Sequence, residues 1–166
     1  MALTEQLAEY VRACFTAIWI ETHEQHEAAA AIAQLCQREQ WRLATWNIDQ
    51  GLRVGGAAVE QNGGDPLAAI RSVNSLVTAD GTALLVLENF HRFLSSAEIV
   101  QALSQQILAG KQNRTIVVIL APVVQLPVEL DKLFVVIEHD LPDRDQLAEI
   151  ARGIATEASE LPSGTE

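Results

Sequence analysis

The residues whose side chains are most able to take part in chemistry are Glu88 and Asn89. They follow the uninterrupted apolar run at residues 83–87. A run of this length is typical of a strand buried on both faces, as in a parallel sheet with helices on each side. A carboxylate at its carboxyl end lies on the edge where open α/β sheets bind ligands, and it could hold Mg²⁺ there. The alternative is that these residues have only a structural role, as a buried strand followed by an ordinary polar turn.

A second group of residues could bind a metal or a small molecule at the same edge. Imidazole nitrogens and carboxylates are common metal ligands, and several of them follow the first and third predicted strands. The opposing interpretation is that histidines in loops and at helix starts are solvated. The residues concerned are Glu21, His23, His26, Glu27, Glu88 and His91.

The connection after the first predicted strand decides whether the chain can bind a nucleotide triphosphate. Proteins that cradle phosphates there use glycines, which let backbone N–H groups approach, and a lysine that neutralises the phosphate charge. Residues 21–27 contain neither, and they carry three carboxylates. Asn89 follows Glu88 where a base would be needed, and an amide cannot take a proton from water. We therefore predict no nucleotide hydrolysis, no catalytic residue, no cofactor and no metal in this domain.

Composition narrows the function classes further. The 166 residues are 49% hydrophobic and carry a formal net charge of −11. This length fits one domain with its own core, and the acidic balance argues against nucleic acid as a partner, because phosphate contacts need clustered Lys and Arg. Cys14 and Cys36 lack metal-type spacing, which favours reduced thiols and a cytoplasmic location. No apolar run is long enough to cross a membrane, so we expect no membrane partner.

Five apolar stretches predict strands, and they alternate with helical patterns. This alternation is typical of a parallel sheet with helices on both faces. The predicted fold class is therefore α/β, a three-layer α/β/α sandwich around a five-stranded parallel sheet. The predicted strands are residues 16–21, 41–48, 83–87, 115–120 and 134–138.

The other stretches complete the predicted domain. Residues 52–64 are rich in glycine and have no period, which predicts a loop with a short hairpin at residues 53–60. Residues 141–154 have the apolar face of a last helix, whereas residues 156–166 have the composition of a linker. We therefore predict one domain over residues 1–155.

Three signals predict where helices begin. Thr22 with Gln25, and Ser95 with Glu98, have the spacing of capping boxes. Asp65 before a proline predicts the N-cap of a helix that runs to about residue 77.

The motifs together resemble those of AAA ATPases. Residues 84–91 resemble the Walker B strand, residues 116–130 resemble the sensor 1 strand and the turn after it, and residues 134–143 are similar to the last strand of that core. Residues 19–24 and 88–94 are similar to one subgroup, the AAA ATPases of the hypothetical-chloroplast-protein type. The resemblance covers about residues 3–155.

This resemblance implies a degenerate N-terminal domain without a P-loop, ahead of a standard AAA module that would bind ATP and Mg²⁺. It implies a P-loop-like sheet with strand order 5-1-4-3-2, and degenerate Walker B positions at Glu88 and Asn89 with no catalytic role. The implied partners are the chain's own C-terminal AAA module, neighbouring subunits of an oligomer and an unknown client protein. Two alternatives stay open. One is a small-molecule or metal-binding domain that uses the strand ends. The other is a domain that senses a ligand under the loop at residues 52–64.

Overall fold

A computed structural model describes residues 3–54, 57–58, 65–76 and 81–139, and structural statements below concern these residues. The strands are β1 (Ala17–Thr22), β2 (Arg42–Asn47), β3 (Gly51–Val54), β4 (Ala57–Ala58), β5 (Ala83–Glu88), β6 (Thr115–Ala121) and β7 (Val135–His139). The α-helices are α1 (Leu3–Arg12), α2 (Gln25–Glu39), α3 (Pro66–Ser72), α4 (Ala97–Asn113) and α5 (Val128–Asp131), and 3₁₀ turns occupy Val73–Leu76 and Phe90–Phe93. None of these helices is long and apolar enough to cross a bilayer.

One mixed sheet forms the centre of the fold. Its strand order is β4-β3-β2-β5-β6-β1-β7. Five neighbouring strands are mutually parallel, namely β2, β5, β6, β1 and β7. β3 pairs antiparallel with β2, and β4 pairs antiparallel with β3. The prediction of a five-stranded, all-parallel sheet was therefore wrong: the sheet has seven described strands and is mixed.

The two additional strands lie in the stretch interpreted as a loop. β3 has four residues and β4 only two, so neither is long enough to show a hydrophobic period in the sequence. They pair with each other through Arg53 opposite Ala58 and Val54 opposite Ala57, which places a hairpin within the predicted range 53–60. Among the predicted strands, β6 lies between β1 and β5, as the P-loop-like order requires for those three.

Helices pack on both faces of the sheet because side chains of its central strands alternate between two apolar cores. α1 and α2 pack on the face that carries Ile18 and Ile20. α3 and α4 pack on the face that carries Trp19 and Trp46, both fully buried. On the second face Trp46 meets the rings of two phenylalanines, Phe90 and Phe93, with centroids 5.5 and 5.4 Å away.

The helix-start signals were correct in one case of three. Asp65 is the N-cap of α3, and its carboxylate accepts from the backbone N–H of Leu67 at 3.0 Å. In α4 the N-cap is Ser96, one residue after the predicted Ser95. Thr22 caps no helix, because it is still part of β1 and pairs with His139 of β7.

α4 does not end at Gly110 but continues to Asn113. Gly110 is needed inside the helix because a Cβ there would lie 2.2 Å from the backbone oxygen of Thr115. The predicted helix at 141–154, the linker at 156–166 and the domain boundary at residue 155 lie outside the described residues.

Candidate functional site at the carboxyl edge of the sheet

Glu88 ends β5 at the carboxyl edge of the sheet, where the sequence placed a candidate metal-binding carboxylate. Its Oε2 accepts a hydrogen bond from Nδ2 of Asn47 at 2.9 Å. Asn47 is the last residue of the neighbouring β2, and its Oδ1 accepts from the backbone N–H of Gln50 at 2.6 Å. Glu88 is thus held by an amide that is itself fixed by the turn leading into β3.

Asn89 joins three elements at this edge. Its backbone is left-handed, with φ 55° and ψ 30°, a conformation that Asn tolerates better than most side chains. Its N–H donates to the carbonyl of Leu120 in β6 at 2.7 Å. Its Oδ1 accepts from Nε2 of Gln25, the first residue of α2, at 2.7 Å. The amide therefore bridges the end of β5 to the start of α2.

The connection between β1 and α2 is very short. β1 ends at Thr22 and α2 begins at Gln25, so only His23 and Glu24 lie between them. Within it, Oγ1 of Thr22 accepts from the backbone N–H of Glu24 at 3.0 Å. Glu24 is the N-cap of α2, and its side chain makes no capping hydrogen bond.

Thr22 and His139 make another polar contact at the edge. Oγ1 of Thr22 lies 2.9 Å from Nδ1 of His139, so the hydroxyl can donate to this nitrogen in one ring tautomer and accept from it in the other. The contact ties the end of β1 to the end of β7. The two residues come together because β1 pairs with β7, and this pairing could not be inferred from either stretch alone.

The histidines do not assemble with the carboxylates into a metal centre. His23 and His26 are exposed in and after the short connection. Nδ1 of His91 is buried and has no hydrogen-bond partner within the described part of the chain. Desolvation, followed by the positive charge of Arg92, lowers the pKa of His91. Over residues 3–54, 57–58, 65–76 and 81–139, no three His, Cys, Asp or Glu side chains are close enough to hold a metal ion.

Sequence reasoning identified Glu88 and Asn89 but missed the side chains that hold them. Asn47 and Gln25 were interpreted only as a strand end and a capping residue. The available signal was positional: parallel strands end at one edge, so polar side chains at the ends of β2 and β5, and at the start of α2, must approach one another.

The fold is that of a mixed α/β domain with a mostly parallel sheet and helices on both faces. The sequence matches the family model described as "SpoVK-like AAA ATPase, N-terminal domain" over residues 3–139. This match covers most of the chain, and the chain belongs to that family.

No curated protein matches the sequence. One solved structure with a similar chain is described as "Structure of E. coli MS115-1 HORMA:CdnC:Trip13 complex". The identity is 14%, the TM-score is 0.47, and the alignment covers 92% of this chain and 57% of that chain. At this level of similarity it carries no argument about function.

Proposed function

We propose that this chain is a non-catalytic regulatory or protein-interaction domain at the N-terminus of an AAA ATPase, with a degenerate, P-loop-like nucleotide site. The observation that carries the proposal is the hydrogen bond between Gln25 and Asn89. It crosses the gap between the start of α2 and the end of β5, where a P-loop protein would hold phosphate between the helix N-terminus and the Walker B strand.

The short connection before α2 supports the same conclusion. A P-loop wraps the phosphates with several backbone N–H groups and needs four residues between its first glycine and the Gly-Lys pair. Here two residues separate β1 from α2, and the N–H of Glu24 is already bonded to Thr22. The connection is too short to wrap a phosphate as a P-loop does.

Charge acts in the same direction. Glu21, Glu24 and Glu27 surround the connection, and a screened carboxylate close to a phosphate costs on the order of 1 kcal/mol per pair. Mg²⁺ at Glu88 would have no phosphate oxygens to bridge. These terms oppose Mg·ATP binding and are not offset by a lysine.

The remaining features of the proposal come from the family resemblance. The parent is an AAA ATPase of the hypothetical-chloroplast-protein type, it is cytoplasmic, and ATP and Mg²⁺ bind to an AAA module that follows this domain. The domain contacts that module, neighbouring subunits of an oligomer, or a client protein.

The test is calorimetric titration of the 166-residue chain with Mg·ATP, followed by a phosphate-release assay. We expect neither heat of binding nor phosphate release, together with measurable association with the parent's downstream AAA module. Micromolar binding that weakens in Glu88→Ala, but not in the control Glu9→Ala on α1, would overturn the proposal. Glu9 is a suitable control because it is exposed on a helix away from this edge.

A groove beside β3 supports a second candidate function, the binding of a small molecule. The groove has a volume of about 720 Å³ and is lined in part by Leu43, Thr45 and Val54. Its test is a thermal-shift screen with small metabolites. A ligand that raises the Tm of the native chain but not of Thr45→Trp, which fills the groove, would support this function; a screen without such a ligand would reject it.

A further inference from the structure

The face of β7 that continues the α3/α4 side of the sheet has an exposed apolar surface. Trp19 of β1 lies fully buried on this side and packs edge-to-face against Phe134, with ring centroids 5.8 Å apart. Val136 is the register partner of Trp19 in β7, so both side chains project to the same side. Val136 is nevertheless 41% exposed. No described helix covers it.

The loop after β6 carries further exposed valines. Val123 and Val124 are exposed, and Val128 at the start of α5 is 88% exposed. The loop is held in place, because the indole Nε1 of Trp19 donates to the carbonyl of Val123 at 3.0 Å. Pro122 and Pro127 flank it and restrict its backbone. We call Val123, Val124, Val128 and Val136 the valine surface.

Two carboxylates lie next to the valine surface without a described cation. Glu21 and Glu138 are register partners in β1 and β7. Each lies two residues beyond Trp19 or Val136 on its strand, so both project to the same side as the valine surface. Like charges directly opposite one another destabilise a sheet. The described ion pairs are at Arg12, Arg38 and Glu39, and neither strand-end carboxylate takes part in them.

We propose that the valine surface and the Glu21–Glu138 pair form a docking site for a segment of another protein that places lysine or arginine beside an apolar side chain. A cation between the two carboxylates would relieve their repulsion, and an apolar neighbour would cover Val136 and the loop. This inference rests on the proposed interaction role, and it specifies the chemistry of the partner.

Charge also argues against the chain's own C-terminal segment as the occupant. The residues after His139 contain seven carboxylates and two arginines. Their net negative charge is repelled by Glu21 and Glu138, whereas a basic segment from another protein is attracted. A second copy of this acidic chain is disfavoured for the same reason.

The test uses a fluorescein-labelled peptide of alternating leucine and lysine and measures its anisotropy with the 166-residue chain. Two comparison peptides replace lysine by glutamate or leucine by serine. We expect the leucine–lysine peptide alone to bind, with an affinity that falls as salt rises. The double variant Glu21→Gln/Glu138→Gln should weaken it by at least about tenfold, roughly 1.4 kcal/mol. Val124→Ser/Val136→Thr should weaken it by a similar factor.

Two controls make the result specific. Glu5→Gln/Glu9→Gln changes the net charge equally but lies on α1, which packs on the other face of the sheet, and Leu108→Ser removes an exposed apolar side chain on α4. Both should leave the affinity within about twofold. Equal losses in the controls, or no loss in the surface variants, would overturn the proposal. Self-association of the native chain that the surface variants abolish would also overturn it, in favour of a second copy.

The same samples separate this inference from the proposed function. Peptide discrimination together with Mg·ATP binding would reject the non-catalytic role and keep the docking site. The absence of both would reject the docking site and keep the non-catalytic role.

Discussion

The side-chain amide of Gln25 donates to the side-chain oxygen of Asn89 across 2.7 Å, and so connects the first turn of α2 to the end of β5. Both residues are polar and uncharged, and under the proposed function they occupy positions where a nucleotide-hydrolysing protein would need phosphate and a base. The hydrogen bond pairs these two side-chain amides with each other across the edge of the sheet. This contact is the main structural support for our proposal that the edge is non-catalytic.

The first prediction concerns the backbone of Asn89. Asn89→Ala removes the Gln25 contact and places a Cβ residue at φ 55° without the local hydrogen bonding of Asn, whereas Asn89→Gly removes only the contact. We expect alanine to lower the free energy of unfolding by about 1–2 kcal/mol more than glycine does, because this is the cost of placing a residue with a Cβ in the left-handed conformation. Urea unfolding of both variants measures the difference. Equal stabilities would show that the left-handed backbone is not strained.

The side-chain contact itself can be measured by a double-mutant cycle. Gln25→Ala, Asn89→Gly and the combined variant should give a coupling free energy of about 0.5–1 kcal/mol, because an exposed neutral hydrogen bond contributes modestly. A coupling of zero would mean that the two side chains do not interact in solution, and it would remove the main support for the proposed non-catalytic role.

The second prediction concerns Gly110 in α4. Replacing glycine by alanine inside an exposed helix stabilises it by about 1 kcal/mol. At Gly110 the sign should reverse, because the new Cβ would lie 2.2 Å from the carbonyl oxygen of Thr115. We expect Gly110→Ala to destabilise the protein by about 1–3 kcal/mol through overpacking. The matched control compares alanine with glycine at the exposed position Gln105 of the same helix, where alanine should be the more stable.

How far the sequence predicts this fold depends on the length of each pattern. β5 and β6 are long, continuous apolar runs. They were predicted from the sequence because a strand buried on both faces needs such a run. β3 and β4 were predicted only as a short hairpin at residues 53–60. Their place in the main sheet was not predicted, because β3 pairs antiparallel with β2 through Leu52 and Trp46 and is too short to show a period. The residues of the candidate site were likewise predictable only where they belong to a strong sequence pattern. Glu88 and Asn89 end a strong strand, whereas the roles of Asn47 and Gln25 depend on which strands are neighbours.

The third prediction concerns a buried polar pair between α4 and β6. Nε2 of Gln106 donates to Oγ1 of Thr115 at 3.1 Å, and both residues are buried. Thr115→Val leaves the amide without this partner, and we expect a loss of about 1–3 kcal/mol. Gln106→Leu combined with Thr115→Val should recover part of that loss, because both polar groups are then removed. Thermal and urea unfolding measure the recovery; a double variant less stable than Thr115→Val would contradict this account.

The fourth prediction separates the two cysteines. Cys36 is buried, and desolvation raises the pKa of its thiol from 9.0 to about 12, whereas Cys14 is exposed. Only a thiolate reacts readily with a disulfide reagent. At pH 8 we therefore expect one thiol per chain to react rapidly in the native protein and the second only after unfolding in urea. Cys14→Ser should abolish the rapid phase, and Cys36→Ala should leave it intact.

The same burial has a consequence for stability. Because the folded state raises the pKa of Cys36, it favours the neutral thiol, and its contribution is fully present below the pKa of the unfolded chain, near 9. It is lost as pH rises from there toward 12. The free energy of unfolding should accordingly fall more steeply above pH 9 in the native chain than in Cys36→Ala, and parallel curves for the two proteins would contradict the assignment.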